Sequence, residues 1–131
     1  LSHYVVDHKR IAKELIEKQW LIQEALNTAS YGIILFGKDE VVLAFNNAYL
    51  ELSGYSNKTL LSNDSKAFIK EGRALASEPE KFDKEIEEIR STKKNLTHNF
   101  KRKDGSTYKR IIFPMLKNGD VVGMVIHLHR V

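Results

Sequence analysis

Five histidines and no cysteine set the chemistry open to this chain. Without a thiol there is no disulfide, no thiolate nucleophile, no zinc–thiolate site and no cysteinyl cofactor adduct. His98 alternates with Leu96 and Phe100, so on a strand it shares their apolar face. An imidazole so placed can bond a ligand, sense pH or bind a metal centre. The plainer alternative, a strand-end histidine half exposed or bonded to backbone, is the one expected. His127 and His129 are two residues apart, and such a pair on a strand can chelate a metal. No third ligand accompanies them, so they are read as surface or interface residues and no metal site is expected. Glu85, Glu87 and Glu88 could mimic a carboxylate pair for acid–base work, but nothing positions a substrate, and the run reads as the solvated face of a helix. There is no phosphate-binding glycine loop, nucleophile elbow or zinc-protease helix. No catalytic residue is assigned, and the segment is expected not to be an enzyme.

The 131 residues fit one domain with one core, and the net charge is a modest +4. Its basic residues gather in Lys93-Lys94, Lys101-Arg102-Lys103 and Lys109-Arg110, with almost no aromatic interleaving. They read as a solvated sheet rim, and no nucleic-acid partner is expected. No apolar run approaches the roughly 20 residues that span a bilayer, so no membrane contact is expected within this segment. A cytoplasmic setting and an origin within a longer chain complete the expectation.

These residues need elements to hold them. Ile11, Leu15, Lys18, Ile22, Ala25 or Leu26 and Ala29 recur at three- and four-residue steps, which predicts an amphipathic helix from about Asp7 to Ala29. Such a helix can lie on the domain's own sheet or pair with a second copy. Two β-rich runs follow, Gly32–Phe36 and Val41–Phe45, split by the polar turn Gly37–Glu40. Asn46 or Asn47 caps a short helix that buries Tyr49, Leu50 and Leu52 and stops at Gly54. Ser56 to Lys70 reads as short irregular helical turns. Pro79 opens a firmer helix to about Arg90, with Phe82, Ile86 and Ile89 on one face.

Lys103-Asp104-Gly105-Ser106 and Lys117-Asn118-Gly119-Asp120 place turn dipeptides between β-prone runs. Three antiparallel strands are expected, about Leu96–Lys103, Thr107–Lys117 and Val121–Arg130. If both turns are two-residue loops, Phe113 faces Met124, Ile111 faces Ile126, and Met115 faces Val122. One face then carries Leu96, His98, Phe100, Ile111, Phe113, Met115, Val122, Met124, Ile126 and Leu128. The reverse carries Asn99, Lys101, Arg110, Ile112, Val125, His127 and His129, and its patch at Ile112 and Val125 asks for the N-terminal helix as cover.

Two strands, short helices, a longer helix and three antiparallel strands are the order of a PAS domain. Asn46-Asn47-Ala48-Tyr49-Leu50-Glu51-Leu52-Ser53-Gly54-Tyr55-Ser56 resembles that family's asparagine, alanine, leucine, glycine-tyrosine-serine signature. Phe100 to Ser106 resembles its basic-Asp-Gly turn, and Gly119 to Gly123 the start of its last strand. The resemblance covers about residues 25–131. It departs at Gly37, where an Asp is usual, at Glu40, where a turn glycine is usual, and at Arg130-Val131, where Asp-Ile would lead into an output helix.

The resemblance implies an α+β fold: a five-stranded antiparallel sheet with short helices and a longer helix on one face, residues 29–131, after an N-terminal helix, residues 1–28. It implies a sensory module of a histidine kinase, a cyclic-dinucleotide enzyme or a transcription regulator, with a downstream effector domain. The expected ligand pocket is Phe45, Tyr49, Tyr55, His98, Phe100, Ile111, Phe113, Met115, Met124, Ile126 and Leu128. The expected homodimer or helix interface is Ile11, Leu15, Ile22, Leu26, Ile112 and Val125. The small-molecule ligand is unidentified. A covalent flavin adduct is excluded by the lack of cysteine. Haem is disfavoured because residues 65–94 hold neither His nor Met. A ligand-free assembly module is the alternative.

Overall fold

The computed structural model describes residues 2–131, with side chains from Asp7 onward. Helix α1 (Ser2–Asn27) precedes β1 (Gly32–Gly37), a 3-10 turn (Lys38–Glu40) and β2 (Val42–Phe45). Four helices follow: α2 (Asn47–Ser53), α3 (Asn57–Leu61), α4 (Ser65–Leu75) and α5 (Pro79–Ser91). The chain closes with β3 (Leu96–Lys101), β4 (Thr107–Lys117) and β5 (Asp120–Arg130). All five strands form one antiparallel sheet in the order β2-β1-β5-β4-β3, as the α+β expectation requires. The helices after β2 cover one sheet face, where Ile34, Tyr49, Tyr55, Leu60, Ile89, Ile112, Ile126 and Leu128 make the core.

Asn46 is the joint between α1, β1 and α2. Its Oδ1 accepts from Ile33 N at 2.8 Å and Tyr49 N at 2.9 Å, and its Nδ2 donates to Leu26 O at 2.8 Å and Tyr31 O at 3.0 Å. The expected cap is therefore one quarter of its work. Gly54 ends α2 in the left-handed conformation, φ 76°. The expectation of irregular turns to Lys70 was too weak for α4. This regular helix is capped by Asp64, whose carboxylate accepts from Lys66 N and Ala67 N.

The C-terminal hairpins depart from the expected register in a compensating way. Asn118 and Gly119, φ 54° and 82°, do form a two-residue loop between Lys117 and Asp120. The next pair, Leu116 with Val121, is followed by Met115 with Gly123, so Val122 is an extra, bulged residue. Ile112 therefore faces Ile126, and Phe113 faces Val125. The first hairpin has three loop residues: Arg102 N donates to Ser106 O, Gly105 N to Arg102 O, and Gly105 takes φ 88°. Phe100 thus pairs with Tyr108, and His98 with Arg110.

Each hairpin is displaced by one residue, so β3, and β5 beyond the bulge, keep their expected faces while β4 is inverted; Val122, expected on the inner face, is exposed. Ile111, Phe113 and Met115 are not on the helix-covered face. Phe113 packs on His127 of the outer face, ring centroids 4.7 Å apart. Ile112, expected on the outer face, is fully buried at 0% exposure, and Arg110 is turned inward with it.

Among the described side chains, α1 does not cover the outer face. Every side chain from Asp7 to Ile22 is exposed, including Ile11, Leu15 and Ile22. The end of α1 is tied to the domain: Gln23 Nε2 donates to Phe45 O, and Asn27 Oδ1 accepts from Asn47 N. Tyr31 instead covers part of the sheet, 4.8 Å from His127 and 4.6 Å from His129 between ring centroids.

Candidate functional site

Two adjoining spaces separate the sheet from its helices. The larger is a cleft of about 350 Å³ between β1, β5, α4 and α5, walled by Phe36, Phe68, Ile69, Ile86, Ile89, Met124 and Ile126. The apolar period of α5 supplies Ile86 and Ile89, and the alternation of β5 supplies Met124 and Ile126. Lys38, Asp39, Glu40 and Arg90 line its rim. Asp39 and Glu40 take left-handed backbone, φ 63° and 61°, which costs about 1–2 kcal/mol per residue without glycine. That turn brings the Glu40 carboxylate to the Arg90 guanidinium on α5, with a second contact at 3.0 Å. An ion pair bridging fifty residues of chain thus crosses the rim.

The smaller space is an internal cavity of about 40 Å³. Tyr49, Tyr55, Phe82, Phe100, Arg102, Arg110 and Leu128 line it, and Phe68, Ile86, Ile89 and Ile126 belong to both spaces. Arg102 lies over Phe100 at 5.2 Å, Tyr108 at 5.6 Å and Tyr55 at 5.8 Å; Arg110 lies over Phe100 at 4.5 Å. Burial pushes the Tyr55 hydroxyl up to about 12 and Tyr49 higher still, so both phenols stay neutral.

Behind the cavity lies a buried charged cluster. Glu85, 6% exposed, accepts from Arg110 at 3.4 Å. His98 Nδ1 is 3.7 Å from Glu85 and 3.4 Å from Arg110, and its Nε2 is 3.6 Å from Glu88. Burial lowers the Arg110 guanidinium from its ordinary value, and Glu85 opposes that shift. Among the described residues no group of three or more His, Cys, Asp or Glu is arranged to hold a metal ion.

Tyr49, Tyr55, Phe100, Ile126 and Leu128 line the cavity, and Met124 and Ile126 the cleft. Phe45 packs against the core but lines neither space, and His98 is buried beside the cavity without lining it. Ile111, Phe113 and Met115 lie outside because β4 is inverted. Of the expected interface, Ile11, Leu15 and Ile22 are exposed, Leu26 is half-buried, Val125 faces outward beside Phe113, and Ile112 belongs to the core.

Three charged residues were misplaced by sequence reasoning. Arg102 and Arg110, expected on a solvated rim, are buried, while Lys101, Lys103 and Lys109 are exposed. Glu85 is buried although Glu87 and Glu88 are exposed. A signal existed for Glu85, which falls three residues after Phe82 and four before Ile89, on the buried stripe. Arg110 needed the true register, and nothing in the basic triplet marks Arg102.

No family model matches the chain, and no curated protein matches it. Solved structures do. The PAS domain of a Colwellia psychrerythraea protein superposes with a TM-score of 0.62 at 18% identity, covering 88% of this chain and 97% of that one. The PAS domain of BvgS from Bordetella pertussis gives 0.62 at 11% identity, covering 88% and 87%. A PAS domain from a two-component sensor histidine kinase gives 0.57 at 18%, covering 91% and 99%. The fold is the PAS fold.

Proposed function

We propose that this PAS-fold domain is a non-catalytic sensory module of a larger signalling protein, one that takes a small, largely apolar ligand in the cleft and pairs with a second copy through α1. The cleft carries the reading. Its volume of about 350 Å³ lies in the range of roughly 300–1,000 Å³ typical of small-molecule sites, and its walls are aliphatic and aromatic.

A ligand between α5 and β5 acts on both elements. The Glu40–Arg90 pair opposes separation of α5 from the turn after β1, so occupancy favours one of two packings of helix on sheet. β5 carries Met124 and Ile126 toward the cleft and His127 and His129 toward Tyr31, four residues beyond α1. A shift in β5 thereby reaches the base of α1. The exposed Ile11, Leu15 and Ile22 stripe supports a homodimer, with further apolar surface at Ile16, Trp20 and Leu21. The likeness to a PAS domain from a sensor histidine kinase supports such a kinase as parent; a cyclic-dinucleotide enzyme or a transcription regulator fits the same module. No helix of the described residues is long and apolar enough to cross a membrane, and a cytoplasmic site of action is part of the proposal.

Native mass spectrometry of the chain purified from cells, as the natural protein and as Ile69→Trp, tests the ligand. The natural protein is expected to carry an added small-molecule mass that the filled cleft loses. A natural protein with no added mass overturns ligand sensing and favours the ligand-free assembly module, for which the exposed α1 stripe is the supporting observation.

A further inference from the structure

Two guanidiniums lie inside this domain and one buried carboxylate answers them. Arg102 and Arg110 are each 9% exposed. Arg110 has Glu85 at 3.4 Å. Arg102 forms no ion pair and no side-chain hydrogen bond among the described residues; it rests on the faces of Tyr55, Phe100 and Tyr108. The Nε of both arginines is buried and has no protein acceptor. The Nη groups of Arg102 keep some water, but a buried Nε donor with no acceptor is costly in each arginine, and an arginine cannot shed its proton to escape. Nor can the phenols supply a negative charge, since burial keeps Tyr49 and Tyr55 un-ionised.

Both arginines border the cavity of about 40 Å³. One water needs about 10–15 Å³ on this measure, so the space suits a group of about three heavy atoms. A carboxylate is that size, and its two oxygens match the planar fork of a guanidinium. Phe68, Ile86, Ile89 and Ile126 line both this cavity and the larger cleft, so a chain running on from an acid group seated here would pass between these side chains into apolar space.

We infer that the ligand is a monocarboxylic acid with an apolar tail, its carboxylate between Arg102 and Arg110 and its tail in the cleft. The tail rests on the cleft reading above; the head rests on the arginine pair alone. The carboxylate supplies acceptors for the two buried Nε groups, and the aromatic walls limit the water that would weaken the contact.

Thermal unfolding of the chain separates these parts. The probes are sodium acetate and sodium octanoate, with sodium chloride holding ionic strength constant. Acetate is expected to raise the midpoint saturably, by about 3–8 °C. Octanoate is expected to act at a concentration at least tenfold lower. In Arg102→Met the acetate response disappears and octanoate weakens at least tenfold. The midpoint of this variant without added acid stays at or above that of the natural protein, because a buried donor without an acceptor is gone. Arg102→Lys, which keeps the charge and loses the fork, is expected to respond more weakly to both acids and serves if the methionine variant does not fold.

No saturable response to either acid in the natural protein overturns the inference. An octanoate response unchanged in both Arg102 variants overturns the acid site and leaves the cleft reading standing. An acetate response that depends on Arg102, with octanoate no tighter than acetate, keeps the acid site and overturns the cleft as the place of the tail.

Discussion

Arg110 on β4 and Glu85 on α5, twenty-five residues apart in the chain, meet at 3.4 Å inside the core. The contact is long for a charge-assisted hydrogen bond, and both partners have given up most of their water. The Arg110 Nε finds no protein acceptor, and the Nε2 of neighbouring His98 makes no hydrogen bond, its nearest carboxylate being Glu88 at 3.6 Å. Such a pair is costly to break and cheap to replace. Glu85→Ala is expected to lower stability by about 3–5 kcal/mol, because it leaves Arg110 charged and alone. The double variant Glu85→Leu/Arg110→Met is expected to recover most of that loss. Urea unfolding of the single and double variants checks both, and a double variant no more stable than Glu85→Ala rules this account out.

The inversion of β4 makes neighbouring residues respond in opposite ways. Ile112 is fully buried against Ile126, whereas Phe113 packs on His127 at the half-open outer face. Ile112→Asp buries a carboxylate with no partner and is expected to abolish folding or cost more than about 4 kcal/mol. Phe113→Ser loses part of an outer aromatic contact and is expected to cost about 1 kcal/mol. Circular dichroism during denaturation distinguishes them; equal sensitivity at the two positions contradicts the bulge at Val122.

Asn46 uses two acceptor and two donor contacts at once; only a carboxamide offers both in this form, and glutamine's sits one methylene further from the backbone. Asn46→Asp keeps the bonds from Ile33 N and Tyr49 N but sets an oxygen against the carbonyls of Leu26 and Tyr31. A loss of about 2–4 kcal/mol is expected. Amide hydrogen exchange should show faster opening at the end of α1 than in β4. Uniform acceleration across the domain argues against a local hinge role.

His127 brings a pH dependence of definite sign. Burial, with a smaller effect from His129, holds its imidazole below the ordinary 6.5. The folded protein therefore binds the proton less readily than the unfolded chain. The contribution is present above pH 6.5 and is lost as pH falls through the depressed value. Stability is expected to decline on acidification over that window, less steeply in His127→Gln. Identical pH profiles for the two proteins remove His127 as the cause.

Trp20 is the only tryptophan and is 63% exposed on α1. If α1 pairs with a second copy, its emission should move to shorter wavelength as concentration rises, in step with the dimer fraction from analytical ultracentrifugation. Red, concentration-independent emission alongside a stable dimer places the interface elsewhere.

Local signals in the chain were sufficient for its elements. Periodicity marked α1 and α5, Asn46 and Gly54 marked the ends of α2, and Asp104-Gly105 and Asn118-Gly119 marked both hairpins, because each reports a preference of a few neighbouring residues. The inward Leu96, His98, Phe100, Met124, Ile126 and Leu128 were legible for the same reason. Tertiary structure alone decided which face of β4 is inside. A third loop residue at Lys103–Gly105 and one bulged residue at Val122 each shift pairing by one position, and side-chain period two turns that single step into a reversal of the strand. From that reversal come the inward Arg110 and Ile112 and the outward Phe113. Composition and pattern assign charged residues to water by default. Only the assembled core, with aromatic rings beneath Arg102 and a carboxylate beside Arg110, lets those two cations stay inside.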